Sequence, residues 1–459
     1  MRPRDILWHR RVLALAWPVM IGNMTEPLLG AVDSAVVGHL EAPQYLAAVS
    51  VGTTIFSFVF FSFNFLRMGT TGLTAQAYGA RDDALVKAIF LRAAAIGLAL
   101  GLLVIALQWP IRWLGLAVYA PGAEVAALTD SYLAIRLWGA PGALLNFCVI
   151  GWFIGRQDTR TPLLLQVLIN VGNIALDLLF VVVLDWSVAG VALASALSVS
   201  FGALLGAALV WRAARRSHAR RPAAPVFDLP AMRRLVVLNS DIFLRTLCIL
   251  VAIGFLVQQG ALLGEVVLAA NAIMLNMFIF LAFGLDGFAF AAEALVGRAI
   301  GRRRRRDVRH AILVSSLWAG AAALAYVLVY LALGAPIVGA LTSLPAVRAE
   351  ALDVLFWMQL MPLLGVWSFQ LDGIFVGAAL TREMRNWMLA ALAAYFATWA
   401  LLPAEMGNDR LWAAVSVFLV ARALPLALLL GRVLDCAGPA SGRLPQSDEA
   451  AVSRADRAV

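Results

Sequence analysis

Two acids sit inside a stretch otherwise fit to cross a bilayer. From Ala16 to Leu40 the chain reads A-W-P-V-M-I-G-N-M-T-E-P-L-L-G-A-V-D-S-A-V-V-G-H-L, with Glu26 and Asp33 among apolar neighbours. About 20 helical residues at ~1.5 Å rise span a hydrocarbon core. At roughly 100° per residue, Glu26, Gly30 and Asp33 fall on one helical face. An ionisable group at that depth costs about 2.5–3.5 kcal/mol on insertion scales and normally faces a cavity or a partner. Pro18 and Pro27 each lack a backbone donor and favour a bend, while Gly22 and Gly30 loosen the turns between them. A bendable span carrying a buried acid reads as a moving part that answers to a proton or a cation. The alternative is a structural acid, neutralised by a neighbour on a packed, merely kinked helix.

A second polar stripe lies in T-P-L-L-L-Q-V-L-I-N-V-G-N-I-A-L-D-L-L-F, from Thr161 to Phe180. Asn170, Asn173 and Asp177 share one helical face by their spacing. Two amides and a carboxylate in hydrocarbon must be satisfied internally, and a cavity shared with Asp33 does so economically. Ser195 and Ser198 can add hydroxyl hydrogen bonds. An asparagine–aspartate clamp between two helices is the structural alternative. Later in the chain Arg245, Gln258 and Gln259, Asp286 and Glu293, and Asp372 interrupt three further apolar runs. Asp286 and Glu293 are co-facial, and Arg245 is expected to neutralise one of these acids, in a structural or a functional role. Arg245, Gln258, Asp286, Glu293 and Asp372 are accordingly candidate cavity residues. Phe56, Phe60, Phe63, Phe278, Phe280 and Phe283 are candidate walls for flat lipophilic cations, although most membrane phenylalanines pack or face lipid.

These groups need helices to hold them in a membrane. Of 459 residues 62% are hydrophobic and only 14% charged, and the mean hydropathy is +0.87, which excludes a soluble globular class. About twelve apolar runs can be delimited, at 12–38, 46–74, 84–108, 123–152, 161–184, 187–211, 233–260, 266–296, 308–333, 346–376, 384–402 and 409–434. The residues from Asp435 onward read as a short disordered tail. The first run is too long for a signal-peptide core and has no small-residue cleavage site, so it reads as a retained span. Cys148, Cys248 and Cys436 form no disulfide or metal pattern, and His9, His39, His218 and His310 have no ligand-like spacing. Asp82-Asp83 has no partner motif, which argues against a metal-dependent intramembrane enzyme, and no cofactor is expected.

The net charge of +9 follows the loops. Arg2, Arg4, Arg10 and Arg11 precede the first run, and every second loop thereafter is basic, through Arg81, Arg156, Arg215, Arg302–Arg306 and Arg382. The intervening loops carry mainly acids such as Glu41, Glu124 and Glu265. By the positive-inside rule both termini are cytoplasmic and the number of spans is even. Arg302–Arg306 is thus a topology anchor rather than a nucleic-acid patch.

The chain also repeats itself. Leu46-Ala47-Ala48 matches Leu268-Ala269-Ala270, Gly79 matches Gly301, Phe153 matches Phe375, and Thr159-Arg160 matches Thr381-Arg382, all at one offset of 222 positions. This predicts a six-span lobe over 1–222, a second over 223–434, and a tail over 435–459. Two parallel repeats about an axis along the membrane normal leave a cleft and can rock to give alternating access. Asp33 and Asp177 map to Phe255 and Trp399 at that offset, so the acids of the first half are not scaffold features of the repeat.

P-L-L-G-A-V-D-S-A-V-V-G-H-L (27–40), R-M-G-T-T-G-L-T-A-Q-A-Y-G-A (67–80) and L-D-G-F-A-F-A-A-E-A-L-V-G (285–297) closely resemble the multidrug and toxic compound extrusion (MATE) transporters, in the branch named for DNA-damage-inducible protein F. The resemblance implies an all-α polytopic membrane protein of twelve transmembrane helices in two pseudo-symmetric six-helix bundles. It implies export of lipophilic, often cationic compounds against inward flow of H+, or less expectedly Na+, as coupling ion. In such proteins an aspartate at the Asp33 position couples the fluxes by bending the first helix, with polar partners matching Asp177, Asn173 and Ser195. Glu26 departs from the family pattern and makes a second candidate for the coupling charge. The expectation is a monomeric, multi-pass protein of a bacterial inner membrane that binds no nucleic acid. A flippase for a lipid-linked precursor, as found in the wider superfamily, is the alternative and would need a cationic cavity, for which Arg136 and Arg245 are the candidates.

Overall fold

The computed structural model describes residues 3–38, 42–215 and 228–438. Among them, twelve long helices follow one another: α1 (Pro3–Gly38), α2 (Pro43–Ala80), α3 (Asp83–Ala106), α4 (Ala123–Gly155), α5 (Arg160–Val183), α6 (Ser187–Arg215), α7 (Leu229–Leu263), α8 (Glu265–Gly301), α9 (Arg305–Leu341), α10 (Leu355–Gly377), α11 (Thr381–Leu401) and α12 (Asn408–Leu428). Ten of them are long and apolar enough to cross a membrane, and α1 and α11 complete the set. The expected run 346–376 is not one helix. It divides at Val354 into a short helix, Pro345–Asp353, and α10. The first piece carries Arg348, Glu350 and Asp353, which belong in water rather than hydrocarbon. An amphipathic helix, Gln108–Tyr119, fills the stretch between the third and fourth expected runs; it leaves Trp109 and Trp113 more than 60% exposed, as suits a segment lying along a membrane surface. The last 21 residues of the expected tail, 439–459, lie outside the described residues. Asp435 closes a short helix (Leu430–Asp435) and pairs with Arg305 at 3.1 Å.

Local signals set the helix ends. The Asp82 carboxylate accepts the Leu85 N–H at 2.9 Å and starts α3, so this loop acid is a cap. Asp158 accepts the N–H groups of Arg160 and Thr161 at the start of α5, and Asp228 caps α7 through Ala231. Among the connections that turn on a non-glycine residue in the left-handed region are those at Arg81, Gln157, Arg303 and Ala379. Arg81 and Arg303 are 222 positions apart, and so are Gln157 and Ala379. The offset found in the sequence therefore recurs in backbone geometry.

It recurs in packing as well. A Cβ on Gly151 would strike the Arg67 carbonyl of α2, and one on Gly373 would strike the Ala289 carbonyl of α8, each residue 222 positions from its counterpart. Gly155 against Thr71 and Gly377 against Glu293 repeat the relation one turn further on. Small residues let α2 and α4, and likewise α8 and α10, approach to backbone contact, which is how helices gain dispersion energy in lipid. α8 is the central element, packed on α10, α1, α2 and α9. At their C-terminal ends α2 and α8 cross: a Cβ on Gly79 would meet the Arg298 carbonyl, and one on Gly301 would meet the Gln76 carbonyl. Beside this crossing Gln76 of α2 donates to the Gly377 carbonyl at the end of α10 at 2.9 Å, and Arg298 of α8 donates to the Gln157 side chain.

Candidate functional site

The polar stripe of α5 is longer than its sequence signal. Gln166, one turn before Asn170, donates to the Asn170 side-chain oxygen at 3.0 Å. Asn170 donates to the Thr25 carbonyl of α1 at 3.4 Å. Asn173 donates to Asp177 Oδ2 at 3.0 Å and to Ser195 Oγ on α6 at 3.5 Å. Asn170, Asn173, Asp177 and Ser195 are all buried, Asp177 completely. Directly after Asp177 the helix widens into a π-helical segment, Leu178–Val183, a departure that recurs at functional positions. Ser198 instead donates to the Ala194 carbonyl of its own helix at 2.8 Å.

Glu26 and Asp33 lie in α1, but their side chains are outside the described residues. The backbone still fixes their level. Thr159 donates to the Ala14 carbonyl and Asn170 to the Thr25 carbonyl, and both pairs are 145 positions apart. The two helices thus run parallel in register. Continuing along both at ~1.5 Å per residue sets position 33 level with position 178, beside Asp177. α1 also packs on the Leu178–Val183 segment.

The second-half residues form a different arrangement. Asp372 Oδ2 of α10 accepts hydrogen bonds from both Arg245 of α7 and Arg422 of α12. Glu293 of α8 pairs with Arg67 of α2 at 3.5 Å, with both side chains buried. The Arg67 guanidinium also lies 3.8 Å from the centroid of the Phe290 ring and donates from Nε to Asn64 at 3.0 Å. Asp286, half-buried, lies within electrostatic range of Arg67, Arg245, Arg422 and Asp372. Three arginines and three carboxylates therefore share this region and balance. The expected neutralisation by Arg245 falls on Asp372, not on Asp286 or Glu293. Gln258 is exposed, thirteen residues and about 20 Å along α7 from Arg245, and is not brought to the cluster. Arg67 and Arg422 were missed, although an arginine inside an apolar run, as in F-L-R-M-G and F-L-V-A-R-A-L, is itself the signal.

Among the aromatic candidates, Phe56 and Phe60 stack at 3.9 Å between centroids, and Arg136 lies over Phe56 at 4.2 Å. Phe278 packs near Phe369, and Phe280 is exposed. Cys148, Cys248 and Cys436 are free thiols.

A polytopic helical body with polar clusters deep inside its spans is the architecture of a membrane transporter. The family model MatE matches residues 18–179 and 244–396, and the chain belongs to this family of transporters. It is 39% identical to DNA damage-inducible protein F of Escherichia coli (strain K12) over 428 residues, 93% of this chain and 92% of that protein. It is 27% identical to multidrug export protein MepA of Staphylococcus aureus (strain NCTC 8325 / PS 47) over 190 residues, 41% of this chain and 42% of that one. The fold matches the crystal structure of MATE in the bent conformation with a TM-score of 0.83 at 20% identity, covering 95% of this chain and 99% of the other.

Proposed function

We propose that this protein is a secondary active antiporter that exports lipophilic or cationic small molecules in exchange for H+, with Asp33 as the coupling acid. The observation that supports this reading is the register of α1 against α5 at Ala14 and Thr25, which, extended by about two turns, brings position 33 to the level of Asp177 with its partner Asn173 and, beyond it, Ser195. A proton arriving at such a site removes a charge from hydrocarbon and changes the relative stability of two packings of α1. Drug affinity that differs between those packings couples the two fluxes. Glu26, about two turns earlier on the same face, and Asn170 complete the proton path in this reading. The lobes over 1–222 and 223–434 rock against each other, and the arginine-rich ends face the cytoplasm of a bacterium. In this reading the crossing of α2 and α8 closes the cytoplasmic end.

A lipid-precursor flippase is less well supported, because in the inner cluster Arg67, Arg245 and Arg422 are matched by Glu293, Asp286 and Asp372, and the other candidate, Arg136, lies against the Phe56 ring. The test is dye efflux in proteoliposomes with pH and sodium gradients imposed separately. An ethidium-like dye is expected to move with the pH gradient alone, and Asp33→Asn to abolish that movement with an unchanged melting curve. Wild-type export by the Asp33→Asn protein removes the assignment; export driven by sodium alone replaces H+ with Na+.

A further inference from the structure

We infer that the arginine-rich end carries a binding site for a phosphate-bearing anion, formed by Arg11, Arg298, Arg302 and Gln157 where α1, α4 and α8 meet. These side chains, with Trp8 and Asp307, line a shallow, partly open recess of about 20 Å³. The recess lies beside the α2–α8 crossing and bridges residues far apart in the chain.

Its unpaired atoms are all donors. Gln157 stands in a left-handed backbone position, φ 65°, and its side-chain oxygen accepts from Arg298. Arginine only donates, so the amide orientation is settled and the remaining Gln157 nitrogen is a donor. That nitrogen and Arg298 Nε are both buried without a hydrogen-bond partner. Buried polar groups are nearly always satisfied, and such orphans point to something that binds there. Arg302, Arg11 and Arg81 all lie close enough to repel Arg298. The acid in the lining, Asp307, already pairs with Arg304 at 3.9 Å. A surplus of positive charge with unfilled donors calls for an acceptor of several lone pairs carrying negative charge. Phosphate fits, because guanidinium forks match its oxygens. At a membrane surface it arrives either on the headgroup of an anionic lipid or as the free ion, and basic recesses between spans are places where anionic headgroups settle.

The site joins α8 to α1 and to the connection after α4, so an occupant ties these elements together at the arginine-rich end. The test measures the melting temperature of the full chain in nanodiscs of phosphatidylcholine with and without phosphatidylglycerol, and in detergent with and without inorganic phosphate. Phosphatidylglycerol is expected to raise it, with about tenfold tighter retention of that lipid over phosphatidylcholine. Arg11→Gln with Arg302→Gln is expected to abolish both effects, and Arg11→Lys with Arg302→Lys to keep most of them. Should the glutamine pair fail to fold, Gln157→Glu supplies the readout: an internal carboxylate on Arg298 is expected to raise the melting temperature and cancel the response. A gain from inorganic phosphate in detergent identifies the free ion as a sufficient occupant, and a gain from the lipid alone identifies the headgroup. A lipid response that persists in full in the glutamine variants, or no response to either source, overturns the site.

Discussion

Arg67 and Glu293 are 226 positions apart in the chain and 3.5 Å apart in space, joining α2 to α8 inside the protein. Removing one member of such a pair strands the other charge. Glu293→Ala is expected to cost about 3–5 kcal/mol, whereas Arg67→Met combined with Glu293→Leu should recover most of that loss. Thermal melts of the three variants in detergent check the order. A single variant as stable as the double one would mean that the pair contributes little.

Asp372 serves two arginines at once, so the cluster is asymmetric. Losing Arg245 leaves Asp372 still paired with Arg422. Losing the carboxylate leaves two buried guanidiniums facing each other without it. Asp372→Asn is therefore expected to melt lower than Arg245→Met, by the equivalent of about 2 kcal/mol or more. Equal melting temperatures would show that Asp286 takes over as the counter-charge.

The α2–α8 crossing has no room for a side chain at Gly79 or Gly301, whereas Gly254 on α7 faces open space. Gly301→Val is expected to force the crossing apart at a cost of about 1–3 kcal/mol, and Gly254→Val to be silent. A cysteine placed at Ala299 reports the opening: its labelling by a polar thiol reagent should rise in the Gly301→Val background and stay low in the Gly254→Val background.

On α5, Asn173 holds Asp177 and reaches toward Ser195. Asn173→Ala is expected to slow pH-driven dye efflux about tenfold, the equivalent of one charge-assisted hydrogen bond of ~1.5 kcal/mol. Ser195→Ala should have a smaller effect, since its contact is the longer one. Efflux in proteoliposomes, normalised to protein inserted, measures both, and equal effects would place Ser195 on a par with Asn173.

Much of this was legible in the sequence because the membrane restricts the menu to helices. Hydropathy alone located nearly all the spans, and the 222-position offset is visible again in the turns at Arg81 and Arg303. Hydropathy could not see that Arg348, Glu350 and Asp353 divide a run, nor that Gln108–Tyr119 lies aside as a separate helix. Helical spacing brought Asn170, Asn173 and Asp177 to one face, but spacing carries no information between helices. The pairings of Arg67 with Glu293 and of Arg422 with Asp372 depend on tertiary packing. Gln166 was passed over because a lone amide one turn from the stripe looks like an ordinary span-end residue.

The first helix is held in two ways along its length. Near its start, Trp8 stacks on His310, His9 accepts from Trp318, and the Ala16–Met20 turn presses on Gly287, all on α8 and α9. Further along, Thr25 is held by Asn170 of α5. α1 is thus held near its base by helices of the later half of the chain and by Thr159 at the start of α5, while its far portion rides on α5. Any swing of that far portion pivots above a fixed footing. If the far portion moves as proposed, the base would act as a fulcrum between the two groups of helices.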